Sequence, residues 1–238
     1  MPGGVYSALS GMQSRLEALE RVAADLANTG TAGYKTERGA RFAAERDFAS
    51  QLQSAVDVSR GGTRTDLTPG TIAHTGNDLD VAIDGQGFFA IQTGGVVRYT
   101  RSGNFTRRTD GVLATVKGEP VLDAQYKPIK LGPGRMSVDA DGTINADGAP
   151  AGRISVWQIE EGDLLRDTGM LFRPVAGVKP RPSDAPLVPQ SLEQANVSMA
   201  DRMTSIVDIS RSFEALQKGI SVLMNDIDSR AISELGRR

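Results

Sequence analysis

Residues 206–227 read IVDISRSFEALQKGISVLMNDI, a stretch whose apolar residues recur at alternating spacings of three and four. Such spacing places them on one side of an α-helix. They are Ile206, Ile209, Phe213, Leu216, Ile220, Leu223 and Ile227. Residues 5–26 read VYSALSGMQSRLEALERVAADL and repeat the pattern with Val5, Leu9, Met12, Leu16, Leu19, Ala23 and Leu26. We call each set a seam, and we predict a long helix at each end of the chain.

A narrow apolar seam needs a partner helix, because a single helix cannot bury it alone. The simplest partner for each helix is the other one, or copies of both from neighbouring molecules. We therefore predict an α+β fold in which the N- and C-terminal helices form a coiled-coil core domain. The alternative is an ordinary intramolecular helix pair packed on the β-domain. The position of both helices at the chain ends favours contacts between molecules, which makes the seams candidate assembly residues.

Five segments are predicted along the chain. They are an N-terminal core helix (1–33), an extended connector arm (34–75), a central, mostly antiparallel β-domain (76–178), a proline-rich return linker (179–196) and a C-terminal core helix (197–238). The β-domain is predicted from short β-segments, such as Phe88–Thr93 and Val96–Thr100, separated by turn pairs such as Gly94-Gly95. The arm has no clear periodicity, which is typical of an interaction arm or a linker.

Composition excludes several classes of site. The chain has 238 residues, no cysteine and one histidine, which argues against disulfide scaffolds, thiolate catalysis, histidine-rich metal centres and a Ser-His-Asp triad. The formal net charge is −2 and the basic residues are not clustered, so nothing points to nucleic acid. We predict no cofactor, no metal and no small-molecule substrate.

The N-terminal residues do not resemble a secretory signal, because residues 5–26 are amphipathic and no basic region precedes an apolar one. No run of about 18 apolar residues occurs, so no membrane insertion is expected. We expect a protein that stays in the cytoplasm or leaves by a route without a cleaved signal peptide.

Three local motifs have simpler explanations than a ligand site. GQGFFA at 85–90 is similar to a dinucleotide fingerprint, but the predicted strand at Phe88–Thr93 favours a turn between two strands. Asp139 and Asp141 suggest a calcium loop, yet Ile144 and Pro150 occupy the positions that require Gly and Glu. His74 has no acidic or nucleophilic partner at a meaningful spacing.

Residues 25–35 read DLANTGTAGYK and resemble the N-terminal signature of bacterial flagellar rod and hook proteins. Three further stretches resemble the same family, namely 79–89 (LDVAIDGQGFF), 99–105 (YTRSGNF) followed by 110–113 (DGVL), and 192–198 (LEQANVS). Asp25 departs from the pattern, which often has Asn or Ser at this position. Because the matches span both ends and the centre, the chain is identified as a member of this family.

The resemblance implies a structural, non-enzymatic subunit of the flagellar basal-body rod, which serves motility by transmitting torque. It implies partners in copies of itself and other rod proteins within a helical tube. It also implies export through the flagellar type III apparatus and a location in the periplasmic rod. The motif turn formed by Asn28, Thr31, Gly33, Tyr34 and Lys35 is expected to set the exit angle of the chain, and the arm is expected to reach a neighbouring subunit.

Within the family, the short chain with one β-domain is similar to rod proteins and not to the longer hook protein. The Thr68-Pro69-Gly70 loop is most similar to the proximal-rod members, with the distal-rod members as the close rival. A different class of function also stays open, namely a soluble ligand-binding β-domain that dimerises through its terminal helices.

Overall fold

The computed structural model describes residues 2–39 and 63–235. The chain divides into two compact units. The first, which we call the helical unit, comprises Met1–Ala27, Glu37–Arg64 and Ser198–Arg238. The second, the β unit, comprises Asn28–Thr36 and Thr65–Val197. Each unit is therefore built from segments that are far apart in the sequence.

The helical unit contains helix α1, Pro2–Ala27, and helix α2, Met199–Leu235. Ser198 is the N-cap residue of α2, because its carbonyl accepts from Arg202 N at 3.1 Å and its Oγ accepts from Asp201 N at 3.4 Å. Asp201 adds a negative charge to the first turn, where the helix dipole favours it. Strands β1, Glu37–Gly39, and β2, Thr63–Thr65, form a two-stranded sheet.

The β unit contains the remaining strands, most of which are three residues long. In chain order they are β3 Ile72–His74, β4 Val81–Ile83, β5 Phe88–Thr93, β6 Val96–Thr100, β7 Phe105–Arg107, β8 Leu113–Thr115, β9 Met136–Val138, β10 Thr143–Ala146, β11 Ala149–Arg153, β12 Val156–Gln158, β13 Leu164–Arg166, β14 Phe172–Pro174, β15 Arg181–Ser183, β16 Leu187–Pro189 and β17 Ser191–Glu193. Glu161–Asp163 form one 3-10 turn. Each pairing from β3 to β17 is antiparallel.

The largest sheet has six strands in the order β13-β14-β6-β5-β12-β15. A three-stranded sheet, β11-β10-β9, and the pairs β16-β4, β17-β3 and β7-β8 complete the unit. Strand β5 is an inner strand of the six-stranded sheet, and both of its faces are buried. Phe89 and Ile91 belong to one apolar cluster, whereas Phe88 and Ala90 on the opposite face belong to another.

The predicted α+β class with a central, mostly antiparallel β-domain is confirmed, but the predicted coiled-coil core is wrong. The described residues contain two helices, α1 and α2, which form a single pair. Their two seams do not face each other, since Leu16 in the middle of the α1 seam is 49% exposed. The physical reason is that α1 presents small residues to α2.

Several local predictions can be compared with the elements. Strands β5 and β6 have the predicted bounds and are joined by Gly94 and Gly95, which adopt the positive φ angles of 58° and 81° that a tight hairpin needs. The GQGFFA stretch lies between β4 and β5, as a turn followed by a strand. Segment 179–196, predicted as a linker, contains three strands. Segment 34–75, predicted as an extended arm, contains β1, β2 and β3, and its residues 40–62 lie outside the described residues.

Candidate functional site: a buried charge cluster and a helix pair

The predicted motif turn follows directly after α1. Asn28 and Thr31 close it, because Thr31 N donates to Asn28 O at 3.0 Å and Thr31 Oγ1 donates to Asn28 Oδ1 at 3.2 Å. Tyr34 N then donates to Thr31 O at 3.2 Å. These local bonds direct Gly33, Tyr34 and Lys35 into the β unit, where all three are buried.

Lys35 ends in a buried cluster of three charged side chains, which we call the charge cluster (Lys35, Arg101 and Glu193). Glu193 Oε1 accepts from Lys35 Nζ at 2.6 Å, and Oε2 accepts from Arg101 Nε at 2.6 Å. The exposed fractions of the three side chains are 0%, 3% and 1%. Buried charges persist only when they are paired and hydrogen-bonded, and this cluster meets both conditions.

Backbone groups complete the coordination of the charge cluster. Lys35 Nζ also donates to Thr68 O at 2.7 Å, and Arg101 Nη1 donates to Gly87 O at 2.7 Å. The Gly70 amide donates to Glu193 Oε1 at 2.8 Å. The cluster thus joins four stretches of chain, namely the motif turn, residues 68–70, the β4–β6 region and the end of β17.

The electrostatics of the cluster favour an ionised Glu193. Burial alone would raise the pKa of Glu193, but the charges and hydrogen bonds of Arg101 and Lys35 outweigh it and hold this pKa below its ordinary value. Burial lowers the pKa of Lys35, with Arg101 adding to the effect and Glu193 opposing it. Because an arginine keeps its charge at any relevant pH, Glu193 always faces at least one cation.

Two glycines let the backbone come close enough to form the cluster. Gly33 has a φ of +72°, its amide donates to Glu193 O at 2.7 Å, and a Cβ there would collide with the backbone of Arg101 and Ser102. A Cβ on Gly70 would collide with Gln194 O. At both positions a side chain is therefore excluded by backbone atoms of residues that are distant in the sequence.

Asn196 fixes the chain beside the cluster, just before α2. Its Oδ1 accepts from Thr36 N at 2.8 Å, and its Nδ2 donates to Asp66 O at 2.9 Å and to Thr68 O at 3.2 Å. One amide side chain thus ties the residue after Lys35 to the 66–68 segment.

Tyr34, the remaining residue of the motif turn, packs under Arg166. The guanidinium Cζ lies 5.3 Å from the centroid of the Tyr34 ring and 5.2 Å from that of Phe172, within the range of a cation–π interaction. Arg166 also donates to Lys35 O through Nη2. All five predicted motif residues therefore have identifiable contacts, although the role predicted for them stays a prediction.

In the helical unit, α1 and α2 run antiparallel. A Cβ on Gly11 would lie 3.8 Å from Leu216 Cδ1, and Asp25 Oδ2 lies 3.4 Å from Arg202 Nη1. Between these two contacts α1 advances by 14 residues while α2 goes back by 14 residues. The same register places Ala18 opposite Ile209.

The face of α1 that meets α2 consists of small residues with one buried carboxylate. Its members, Gly11, Ser14, Ala18, Val22 and Asp25, are all buried or half-buried. The antiparallel register places opposite them five half-buried residues of α2, namely Leu216, Phe213, Ile209, Ser205 and Arg202. Large side chains of one helix thus fit against small ones of the other, a complementary form of close packing.

The predicted α2 seam lies on this contact side, since Ile206, Ile209, Phe213, Leu216 and Ile220 are all half-buried. The α1 seam does not. Four seam residues each come one position after a residue of the contact face, namely Met12, Leu19, Ala23 and Leu26. One position corresponds to a rotation of roughly 100° about the helix axis, so the seam lies on a different side of α1 from the contact. Leu16 is half exposed and Ala23 is exposed. The side chains of Val5, Leu9, Leu223 and Ile227 lie outside the described part of the structure.

A second exposed apolar stripe, which the seam pattern did not predict, lies on α2. Met199, Met203 and Val207 are spaced four residues apart and are 51%, 51% and 48% exposed. On each helix, the exposed apolar residues are rotated about the helix axis by roughly a third of a turn from the face that contacts the other helix. The rotation has the same sense for the α2 stripe and the α1 seam when each helix is viewed along its own chain direction. Because the helices are antiparallel, this brings both to one side of the pair. We call it the apolar side (Leu16, Leu19, Leu26, Met199, Met203 and Val207).

Sequence reasoning also missed the charge cluster and the Asp25–Arg202 pair. Asp25 was visible only as a departure from the family pattern, yet it is 2% exposed and lies against α2. The signal that could have found the cluster was three charged residues, Lys35, Arg101 and Glu193, each inside a stretch that resembles the family. Their pairing across 92 and 158 residues has no local signature.

The structure does not support a ligand site at His74 or at the loop of Asp139 and Asp141. His74 lies in β3 opposite Ser191, and Asp139 and Asp141 hold a hairpin turn through Asn145 and Thr143. Across residues 2–39 and 63–235, no three His, Asp or Glu side chains are grouped as metal ligands would be. Neither described helix combines the length and apolarity that crossing a bilayer requires.

Comparison with known proteins gives consistent matches. Residues 82–146 match the family described as "Flagellar hook protein FlgE/F/G D1 domain". Residues 188–233 match "Flagellar basal body rod FlgEFG protein C-terminal". The first region covers β5 to β10 and contains Arg101, and the second contains Glu193 and nearly all of α2.

Whole-length relatives point the same way. The chain is 31% identical over 247 residues to the flagellar basal-body rod protein FlgF of Caulobacter vibrioides, covering 100% of this chain and 99% of that one. It is 32% identical to FlgF of Rhizobium meliloti, with 99% of each chain covered. It is also 30% identical to the flagellar basal-body rod protein FlgG of Bacillus subtilis, covering 91% of this chain and 93% of that protein.

Proposed function

The chain belongs to the FlgE/F/G family and is a structural subunit of the flagellar basal-body rod, and on this premise we propose which of its surfaces join it to its neighbours. The family is one of structural proteins and not of enzymes, so the prediction of a non-enzymatic subunit is confirmed. The alternative of a dimeric ligand-binding domain is not favoured. The partners of this chain are other proteins of the rod and basal body.

We assign the chain to the proximal-rod member FlgF. Support comes from the FlgF relatives of Caulobacter vibrioides and Rhizobium meliloti, each of which matches over at least 99% of both chains. Assembly into a helical, torque-transmitting tube, a periplasmic location and export through the type III apparatus belong to the same proposal. Family membership is their support.

The observation that carries the assembly proposal is the apolar side of the helix pair. Leu16, Met199, Met203 and Val207 are all about half exposed on one side of two helices that already pack against each other on another. Contiguous exposed apolar side chains mark surfaces that bind a partner. We propose that this side meets helices of neighbouring rod subunits.

The remaining seam residues take a different role in this proposal. Ile209, Phe213 and Leu216 hold α2 against α1 within one molecule, and they support the assembly surface without forming it. Val5, Leu9, Leu223 and Ile227 continue the same periodicity and are proposed as further contacts towards the far ends of the helices. Met12, Ile206 and Ile220 flank the α1–α2 contact.

The experiment compares a substitution on the apolar side with one in the helix contact. Leu16→Asp should leave the helix content of the purified chain unchanged, by far-UV circular dichroism, but abolish rod assembly and swimming. Leu216→Asp should reduce both, because it buries an unpaired carboxylate against Gly11. Ala24→Asp, on an exposed position of α1 outside the seam, is the matched control and should preserve both. Normal swimming of the Leu16→Asp strain would refute the proposed surface.

A further inference from the structure

The last three strands of the β unit come from one short stretch near its C-terminal end. Strand β15 pairs with β12, β16 pairs with β4, and β17 pairs with β3. Among the described residues, β3 and β4 have no other strand partner. Residues 181–193 therefore complete three separate sheets whose other strands precede them by up to about 120 residues.

Glu193, the final residue of this stretch, also neutralises two buried cations. Both oxygens of its carboxylate are occupied, by Lys35 and Arg101, and its backbone carbonyl accepts from Gly33 N. If the β unit closed without Glu193, Lys35 and Arg101 would be buried near each other with no carboxylate between them. Removing one partner of a buried ion pair leaves an uncompensated charge and is strongly unfavourable.

We propose that Glu193 gates the folding of the β unit. Residues 65–178 do not close into a stable structure until residues 181–196 have joined them and supplied the missing carboxylate. A chain that emerges N-terminus first must then present about 196 of its 238 residues before its β unit can fold. The gate depends only on contacts within one molecule, so it stands apart from the proposed assembly surface.

The test uses the single tryptophan of the chain, Trp157, which is buried in β12 and reports on the β unit. Full-length protein is refolded from urea by stopped-flow dilution and followed by tryptophan fluorescence. Glu193→Gln should slow refolding by roughly tenfold or more, because the contact forms before the main barrier. Glu160→Gln, the same change at an exposed site in the β unit, should refold at the wild-type rate. Wild-type refolding of Glu193→Gln, with only faster unfolding, would overturn the gate.

If Glu193→Gln does not fold, a second variant tests whether the gate is electrostatic. In Lys35→Met/Glu193→Gln one of the two cations is removed together with the carboxylate. If the gate is electrostatic, this double variant regains the fluorescence of folded Trp157 at urea concentrations where Glu193→Gln does not, since less buried charge is left uncompensated. A double variant that folds no better than Glu193→Gln would assign the effect of Glu193 to packing and would overturn the proposal.

Discussion

At the scale of single residues, Glu193 and Gly33 illustrate how one short turn depends on distant chain. Glu193 supplies both a carboxylate for Lys35 and a backbone carbonyl for the Gly33 amide. Gly33 in turn lies against the backbone of Arg101 and Ser102. A buried, fully bonded charge therefore depends on a neighbouring position where no side chain fits.

Gly33→Ala should destabilise the β unit by about 1–3 kcal/mol or more, because it combines a positive φ with a backbone collision. Urea unfolding followed by Trp157 fluorescence measures the loss. Gly30→Ala is the matched control in the same turn, since a Cβ there meets nothing within 4 Å. We expect it to stay within about 0.5 kcal/mol of wild type. Equal stability of the two variants would contradict the close approach at Gly33.

The charge cluster should also give the β unit a defined acid sensitivity. The folded pKa of Glu193 lies below its ordinary value of 4.5 because of Arg101 and Lys35. Its stabilising contribution is therefore complete above about pH 4.5 and is lost as the pH falls through the folded pKa. We expect the difference in unfolding free energy between wild type and Glu193→Gln to shrink below pH 4.5. A difference that stays constant down to acid pH would argue against an ionised Glu193.

At the scale of elements, the helix pair shows why a seam of large apolar residues need not mark the intramolecular contact. Gly11 lies against Leu216, and the inferred register places Ser14 and Ala18 opposite Phe213 and Ile209, so α1 turns its small residues towards α2. Its leucines are consequently left on another side. The arrangement gives α1 two different surfaces, one that contacts α2 and one that we propose contacts a neighbouring subunit.

Ala18→Phe should weaken the helix pair, because the larger side chain has no room opposite Ile209 and overpacking typically costs about 1–3 kcal/mol. Thermal unfolding monitored by far-UV circular dichroism should show an earlier loss of helix. Ala24→Phe makes the same substitution at an exposed position of α1 and should leave the melting curve close to that of wild type. Identical curves for the two variants would disprove the inferred register.

The sequence predicted local features well and long-range ones poorly, for physical reasons. Hairpins such as β5–β6 depend on adjacent residues, including Gly94 and Gly95, so their bounds were predictable. The coiled-coil core was not, because periodicity identifies an apolar side of a helix without saying which side its partner takes. Lys35 and Glu193 are separated by 158 residues, and no local pattern encodes their ion pair.

At the scale of the whole molecule, the two units differ in what stabilises them. The β unit has apolar clusters on both faces of β5 together with a buried charge cluster, whereas the described part of the helical unit packs through the contact between α1 and α2. Most of the stability of helices in proteins comes from tertiary packing. The helical unit should therefore gain from neighbouring subunits, which would cover its apolar side.

We expect the two units of the isolated chain to unfold at different urea concentrations. Trp157 fluorescence reports the β unit, and far-UV circular dichroism is dominated by α1 and α2 of the helical unit. The circular dichroism midpoint should be the lower of the two, because among the described residues nearly all of the buried apolar side chains belong to the β unit. Superimposable transitions would mean that the chain unfolds as one cooperative body.

The proline in strand β15 has a consequence for a protein that functions within an assembly of many subunits. Edge strands invite pairing with other molecules, and long exposed edges are starting points for amyloid. Strand β15 lies at one edge of the six-stranded sheet, is three residues long and carries Pro182 at its centre, where a backbone donor is missing. Neighbouring copies are thereby discouraged from pairing edge to edge through β15 into a cross-β fibril, which would compete with assembly of the rod.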